Sequence, residues 1–113
     1  MILASIRMTI PPEKNGEVMK ILGWVVELCR DDPNCLKCNL LGDLRERNVL
    51  VLEQVWRAQE SLDLHLRSEE YRNLLMILEL SLEKPEIRFD TISDSTGIET
   101  IERARSAGKS NES

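Results

Sequence analysis

The side chains best suited to proton and aromatic chemistry lie close together in the middle of the chain. His65 is the only histidine and Tyr71 the only tyrosine, and Trp56, one of two tryptophans, comes shortly before them. An unperturbed imidazole titrates near a pKa of ~6.5, so a neutral histidine can take a proton at cellular pH. Tryptophan and tyrosine offer flat contact surfaces whose N–H and O–H groups can orient oxygen atoms. We therefore treat these residues and the neighbouring Gln54 as a candidate site.

Each candidate also has a structural explanation. A lone histidine between leucines on a short helix commonly bonds a backbone carbonyl. Large aromatic side chains commonly fill cores and interfaces. Arg7 lies on an otherwise apolar first strand, where it could stabilise an anion or form an ion pair with Asp90 or Glu53. The residue types alone leave both explanations open.

The three cysteines are predicted to be structural. Cys35 and Cys38 form a C-x-x-C pair, which is typical of a redox site or of half a zinc site. The two-pair spacing of a structural zinc site is missing, since Cys29 is the only other thiol. Positions three apart on a strand point to opposite faces, so the pair is not expected to bridge or chelate. We therefore predict no metal site and three buried or half-buried thiols.

Length and composition indicate one soluble domain. The chain has 113 residues, of which 42% are apolar and 31% charged, so it can bury a core without a disulfide or metal. No apolar run reaches the ~18 residues of a membrane span, and the start of the chain lacks the apolar block of an export signal. A cytoplasmic location is expected. The net charge of -5 disfavours binding to nucleic acid.

Hydrophobic periodicity predicts four strands and three helices before residue 93. The strands are predicted at 2–10, 35–44, 49–57 and 86–92, and the helices at 13–30, 59–66 and 69–82. Ser68, followed by two acids, has the pattern of the N-cap of the last of these helices. A linker leads to a short helix at 98–105 and a disordered end at 106–113. The predicted domain is therefore 1–93, with a C-terminal extension at 94–113.

The element order βαββαβ is that of an α+β, ferredoxin-like fold, with a four-stranded antiparallel sheet and its helices on one face. The other face of the sheet is left bare, and it carries the polar sides of the strands, namely Ser5, Arg7, Thr9, Arg88 and Asp90. Two copies that pack bare face to bare face would enclose a cavity with the mixed lining of a small-molecule site. Because isologous dimers are the commonest assembly, a homodimer is predicted.

Three stretches of the sequence resemble the antibiotic biosynthesis monooxygenase (ABM) family, and the resemblance covers roughly residues 1–92. They are Asp32-Pro33-Asn34-Cys35-Leu36, the strand Val49-Leu50-Val51-Leu52 ending in Val55-Trp56, and Leu62-x-x-His65-Leu66-x-Ser68-x-x-Tyr71. The resemblance implies a dimeric α+β barrel. Characterised members oxidise hydroxylated aromatics or quinols with dioxygen, often without metal or flavin, while others degrade heme or isomerise signalling molecules.

The sequence departs from the family pattern at two places. The family often carries a glutamate two residues before the strand tryptophan, where this chain has Gln54, which is not a useful base. Glu53 is adjacent but should point to the opposite face. The heme-degrading members place a tryptophan near the position of His65 and an iron-binding histidine near that of Leu75, so heme degradation is disfavoured.

What the resemblance implies is a cofactor-independent monooxygenase that oxidises a quinol or small hydroxylated aromatic with dioxygen. In this hypothesis His65 takes a phenolic proton, Arg7 stabilises the anion, and Trp56, Gln54 and Tyr71 bind the ring. A phenolate gives up an electron to dioxygen more readily than a phenol does, so no cofactor is required. A non-catalytic ligand-binding dimer and an isomerase of the same fold are the alternatives.

Overall fold

The computed structural model describes residues 1–112, with side chains for 1–108. Within this part, the chain forms four strands and four α-helices. A single 3-10 turn at Pro12–Lys14 precedes the first helix. In chain order they are β1 (Ile2–Thr9), α1 (Asn15–Asp31), β2 (Cys35–Gly42), β3 (Val49–Trp56), α2 (Gln59–Leu66), α3 (Glu69–Glu79), β4 (Glu86–Thr91) and α4 (Ile98–Glu112).

The strands form one antiparallel sheet in the order β2-β3-β1-β4. This topology confirms the predicted α+β, ferredoxin-like fold. The core lies between one face of the sheet and helices α1, α2 and α3. Because the structure contains a single chain, the barrel formed by two copies stays a prediction.

The alternation in β1 decides which side chains face the helices. Its even-numbered residues are buried and its odd-numbered residues are half-buried, as the sequence pattern predicts. Ala4 pairs with Gln54 and Ile2 with Trp56, so these two β3 side chains share the helix-facing side. Arg7 pairs with Val51 and therefore lies on the other face of the sheet.

The prediction that the thiols of Cys35 and Cys38 point to opposite faces is wrong, because β2 contains a β-bulge. Cys35 pairs with Trp56 and Cys38 with Gln54, and the register shifts at the residue between Cys35 and Lys37. The extra residue of a bulge restores the parity of the strand, so positions three apart come to the same face. Both thiols therefore lie on the helix-facing side, and the displaced residue, Leu36, is exposed.

The C-terminal helix is longer than predicted. Helix α4 begins at Ile98, as expected, but continues to Glu112, past the predicted end at residue 105 and into the end expected to be disordered. Alanine, glutamate and arginine in this segment favour a helix, although Ile98 and Ile101 remain exposed. Residue 113 lies outside the described part. None of the helices described is long and apolar enough to cross a bilayer.

Candidate functional site

Three of the predicted site residues form a cage of rings in the core. The His65 ring stacks on Trp56 with centroids 4.7 Å apart and planes inclined by 27°. Tyr71 also contacts the imidazole, edge-on, at 5.3 Å and 77°. All three side chains are buried, and His65 is only 5% exposed. The imidazole therefore contacts two aromatic rings at the junction of β3, α2 and α3.

The loop between α2 and α3 fixes the positions of His65 and Tyr71. The Ser68 hydroxyl donates to the carbonyl oxygen of His65 at 2.6 Å and accepts from the backbone N–H of Tyr71 at 3.3 Å. Ser68 is thus the N-cap of α3, as predicted, and Glu69 and Glu70 occupy its first turn. This cap ties the end of α2 to the start of α3.

A chain of hydrogen bonds runs from Trp56 to His65 through two side chains. The indole Nε1–H of Trp56 donates to Oε1 of Gln54 at 3.2 Å. Nε2 of Gln54 donates to Sγ of Cys29 at 3.1 Å, and a second sulfur, that of Cys38, lies 3.8 Å away. Sγ of Cys29 lies 3.9 Å from Nδ1 of His65. Every member of this chain is buried.

The other ring nitrogen of His65, Nε2, is buried without a hydrogen-bond partner. Burial lowers the pKa of His65 below its usual 6.5, although Glu70 and Asp32 act in the opposite direction. The ring is therefore neutral at cellular pH. A neutral imidazole with one free nitrogen can either accept a proton from a hydroxyl or donate a hydrogen bond to an oxygen.

The lowered pKa of His65 predicts a stability that falls with acid. The unfolded chain takes up a proton near pH 6.5 whereas the folded protein does so only at lower pH, so the unfolded state binds more protons between these two values. The free energy of unfolding should therefore decrease as the pH falls below 6.5. Urea unfolding at a series of pH values measures this.

The matched control is the His65→Leu variant, which has no imidazole but keeps every carboxylate. The acid-dependent loss should be smaller in this variant than in the unmodified protein, because only the carboxylate contribution remains. Identical losses in the two proteins would contradict the lowered pKa.

Arg7 is not part of this cage. It lies on the opposite face of the sheet, where its guanidinium forms ion pairs with Asp43 and Glu46, each at 3.1 Å. The hydrogen bond to Asp43 is the main cause of a raised pKa of Arg7. The ion-pair partners of Arg7 are therefore not Asp90 or Glu53, the two that the sequence suggested. Arg7 and His65 therefore cannot contact the same atom of a small ring within one chain.

Cys29 is the residue that sequence reasoning missed. Its spacing on the apolar face of α1 marked it only as a core residue, and which strand residues it would meet depends on helix–sheet packing that the sequence does not reveal. Glu53 lies on the face opposite Gln54, as predicted. Among the described residues, no group of three or more Cys, His, Asp and Glu side chains is arranged to hold a metal.

An apolar cavity of about 260 Å³ lies between α1 and α3, but away from the cage. Its lining includes Val18 and Ile77, with Glu17 and Glu79 at its polar edge. Val18 is roughly 16 Å from Cys29 along the axis of α1, at 1.5 Å per residue. This cavity is therefore a surface groove at the other end of the helix pair.

Comparison with solved structures shows the same architecture in other proteins. An antibiotic biosynthesis monooxygenase superimposes with a TM-score of 0.73 and 22% identity, over 83% of this chain and 100% of the other. A proposed antibiotic biosynthesis monooxygenase of Deinococcus radiodurans gives 0.78 and 15%, over 87% and 98%. One of Caulobacter crescentus gives 0.73 and 16%, over 82% and 90%. At these identities the likeness establishes the fold alone.

The fold and the buried ring cage define a small α+β protein of the ferredoxin-like class. Residues 1–75 match the family profile of the antibiotic biosynthesis monooxygenases. Because this match covers more than half of the chain, the chain belongs to the antibiotic biosynthesis monooxygenase family, and a general monooxygenase-like function follows. No functionally curated protein matches the chain significantly.

Proposed function

We propose that the protein is a cofactor-independent monooxygenase that oxidises a quinol or a small hydroxylated aromatic with dioxygen. The observation that carries this proposal is the buried, unpartnered Nε2 of His65 inside the cage of Trp56 and Tyr71. A buried polar atom without a hydrogen bond costs about 1–3 kcal/mol of stability. A ligand oxygen that reaches Nε2 would supply the missing bond.

The rings around His65 suit a planar substrate. Trp56 and Tyr71 each place an aromatic ring against the imidazole, and the side chain of Gln54 is held by its bonds to Trp56 and Cys29. Since His65 is 5% exposed, contact between a substrate and Nε2 requires a local opening of the segment that covers the imidazole. His65 lies near the end of α2, which is the shortest of the four α-helices described at 8 residues, and segments that open for ligands are drawn from the less stable parts of a fold.

The chemistry follows from the contact with Nε2. An unprotonated Nε2 would take the phenolic proton, and an Nε2–H would hold the phenolate by a hydrogen bond, so both forms favour the anion that reduces dioxygen. The reaction balances without another reductant, because a quinol and O2 give a hydroxyquinone and water. The quinol supplies all four electrons, and one oxygen atom enters the ring.

Oxygen uptake by the metal-free protein tests this function. A panel of quinols and polyhydroxylated aromatics is offered at neutral pH, with and without catalase. Monooxygenation consumes one O2 per quinol and releases no peroxide, so catalase should return no oxygen. Autoxidation releases peroxide, and catalase would then return half of the oxygen. Absence of enzyme-dependent uptake on every compound, with saturable binding of the same compounds, would instead support the ligand-binding alternative.

Arg7 provides a test of which face of the sheet carries the reaction. The Arg7→Met variant removes the charge but keeps a long apolar side chain on the bare face. Because Arg7 lies across the sheet from His65, the rate of oxygen uptake by this variant should stay within about twofold of that of the unmodified protein. A loss of about 100-fold, the usual effect of removing a group that contacts the reacting atoms, would place the substrate on the bare face instead.

We also propose that the protein is a homodimer that pairs through the bare face of the sheet. Apolar side chains stand among the polar ones on this face, and Leu41 is 47% exposed. The Leu3→Glu variant would place two like charges in an isologous interface, and it should elute as a monomer in size-exclusion chromatography with light scattering. The matched control is Met76→Glu on α3, which should leave the dimer intact. A monomeric unmodified protein would contradict the proposal.

A further inference from the structure

The direction of the hydrogen-bond chain in the core is set by its first member. An indole N–H can only donate, so Oε1 of Gln54 must be the acceptor of the bond from Trp56. The amide nitrogen of Gln54 must then face the sulfurs, where it donates to Sγ of Cys29. Only one of the two orientations of the Gln54 amide satisfies both contacts. In that orientation Sγ of Cys29 accepts a hydrogen bond from the amide nitrogen.

Cys29 keeps its own hydrogen and can donate it onward. Its hydrogen bond with Cys38 and its burial raise the pKa of the Cys29 thiol, so it is neutral in the folded protein. The hydrogen has two acceptors within reach, the sulfur of Cys38 and Nδ1 of His65, which lies at 3.9 Å. The same contact with Cys29 lowers the pKa of Cys38 to about 7, so a thiolate at Cys38 competes with His65 for this hydrogen above that pH. Where Cys38 is a neutral thiol, its sulfur is a weaker acceptor than a neutral imidazole nitrogen. With this donation, Gln54, Cys29 and His65 each accept one hydrogen bond from the preceding member of the chain, and each has a hydrogen to donate onward.

We propose that Cys29 is a positioning residue that donates its thiol hydrogen to Nδ1 of His65 and thereby holds the neutral ring in the tautomer with its hydrogen on Nε2. The unpartnered atom of the site is then a donor. If the proposed function is correct, the substrate loses its phenolic proton to solvent water, and His65 binds the resulting phenolate oxygen through Nε2–H and does not act as the base in the resting state. This replaces the proton-accepting role suggested by the residue type alone.

The tautomer can be measured without turnover, because His65 is the only histidine in the chain. In protein labelled with 15N in histidine, the two ring nitrogens of a neutral imidazole give separate signals, and the attached proton identifies the N–H nitrogen. The expected result in the unliganded protein at neutral pH is a proton on Nε2 and none on Nδ1. A spectrum with the proton on Nδ1, or with the two signals averaged, would overturn the proposal.

Three variants establish whether Cys29 is the cause. In Cys29→Ser a hydroxyl replaces the thiol as donor, so the Nε2–H tautomer should persist. In Cys29→Ala the donor is lost, and both ring nitrogens should move towards averaged positions. Cys38→Ala removes the competing sulfur and should leave the tautomer unchanged. An unaltered spectrum in Cys29→Ala, or the loss of the tautomer in Cys38→Ala, would contradict the assignment. Since none of these spectra depends on oxygen uptake, the tautomer and the proposed function can fail separately.

Discussion

Replacing His65 with leucine should abolish oxygen uptake without lowering stability. Leucine is close to histidine in volume, so the space against Trp56 and Tyr71 stays filled. The buried Nε2, which has no partner, is removed, and the free energy of unfolding should stay the same or rise by about 1 kcal/mol. Uptake should fall by about 100-fold or more, because the atom proposed to contact the reacting oxygen of the substrate is gone.

The control for this pair of measurements is Leu62→Ala in the same helix. Leu62 is 2% exposed, so its truncation should lower the free energy of unfolding by about 2–5 kcal/mol. At a temperature where the variant is fully folded, it should nevertheless keep its oxygen uptake. If His65→Leu loses more than about 2 kcal/mol, the imidazole is a satisfied structural group, and our interpretation of the cage is wrong.

Truncating Trp56 should have the largest effect on stability. The side chain is 1% exposed, stacks on His65 and satisfies the Gln54 oxygen, so Trp56→Ala should cost about 3–5 kcal/mol. This is a large part of the ~5–15 kcal/mol by which typical domains are stable. Urea unfolding followed by far-ultraviolet circular dichroism measures the loss independently of the missing fluorophore.

The matched variant Trp56→Phe separates packing from hydrogen bonding. It keeps an aromatic ring against His65 but leaves Oε1 of Gln54 without its donor. Its loss should be clearly smaller than that of Trp56→Ala. If Trp56→Ala costs less than about 1 kcal/mol, the core is not packed around this tryptophan, and the cage does not exist in solution.

Local patterns were sufficient to predict most of the fold. The alternation of β1 and the N-cap at Ser68 are each decided by neighbouring residues, and each is found where the sequence places it. The bulge before Lys37 is different, because a single extra residue leaves no mark in composition or periodicity. That one residue reversed the predicted relation of Cys35 and Cys38.

The candidate site was predictable only where it is continuous in sequence. Trp56, His65 and Tyr71 belong to one strand–helix–helix segment, so their spacing already indicated a cluster. The relation of Arg7 to Gln54 depends on the register of β1 against β3, which pairs Ala4 with Gln54 and so places Arg7 on the far face. Strand register and helix docking are long-range properties, and a single sequence does not specify them.

The most direct test of the central claim is the response of the His65 imidazole to a bound quinol. Histidine-labelled protein is titrated under anaerobic conditions, so that binding occurs without oxidation, and the 15N signals of the ring are followed. We predict a saturable shift of the Nε2 signal, because the ligand oxygen supplies the missing partner of that atom, with a smaller change at Nδ1 beside Cys29. If Nε2 does not move while the quinol binds to saturation elsewhere, His65 is not the substrate contact and the proposed site is wrong.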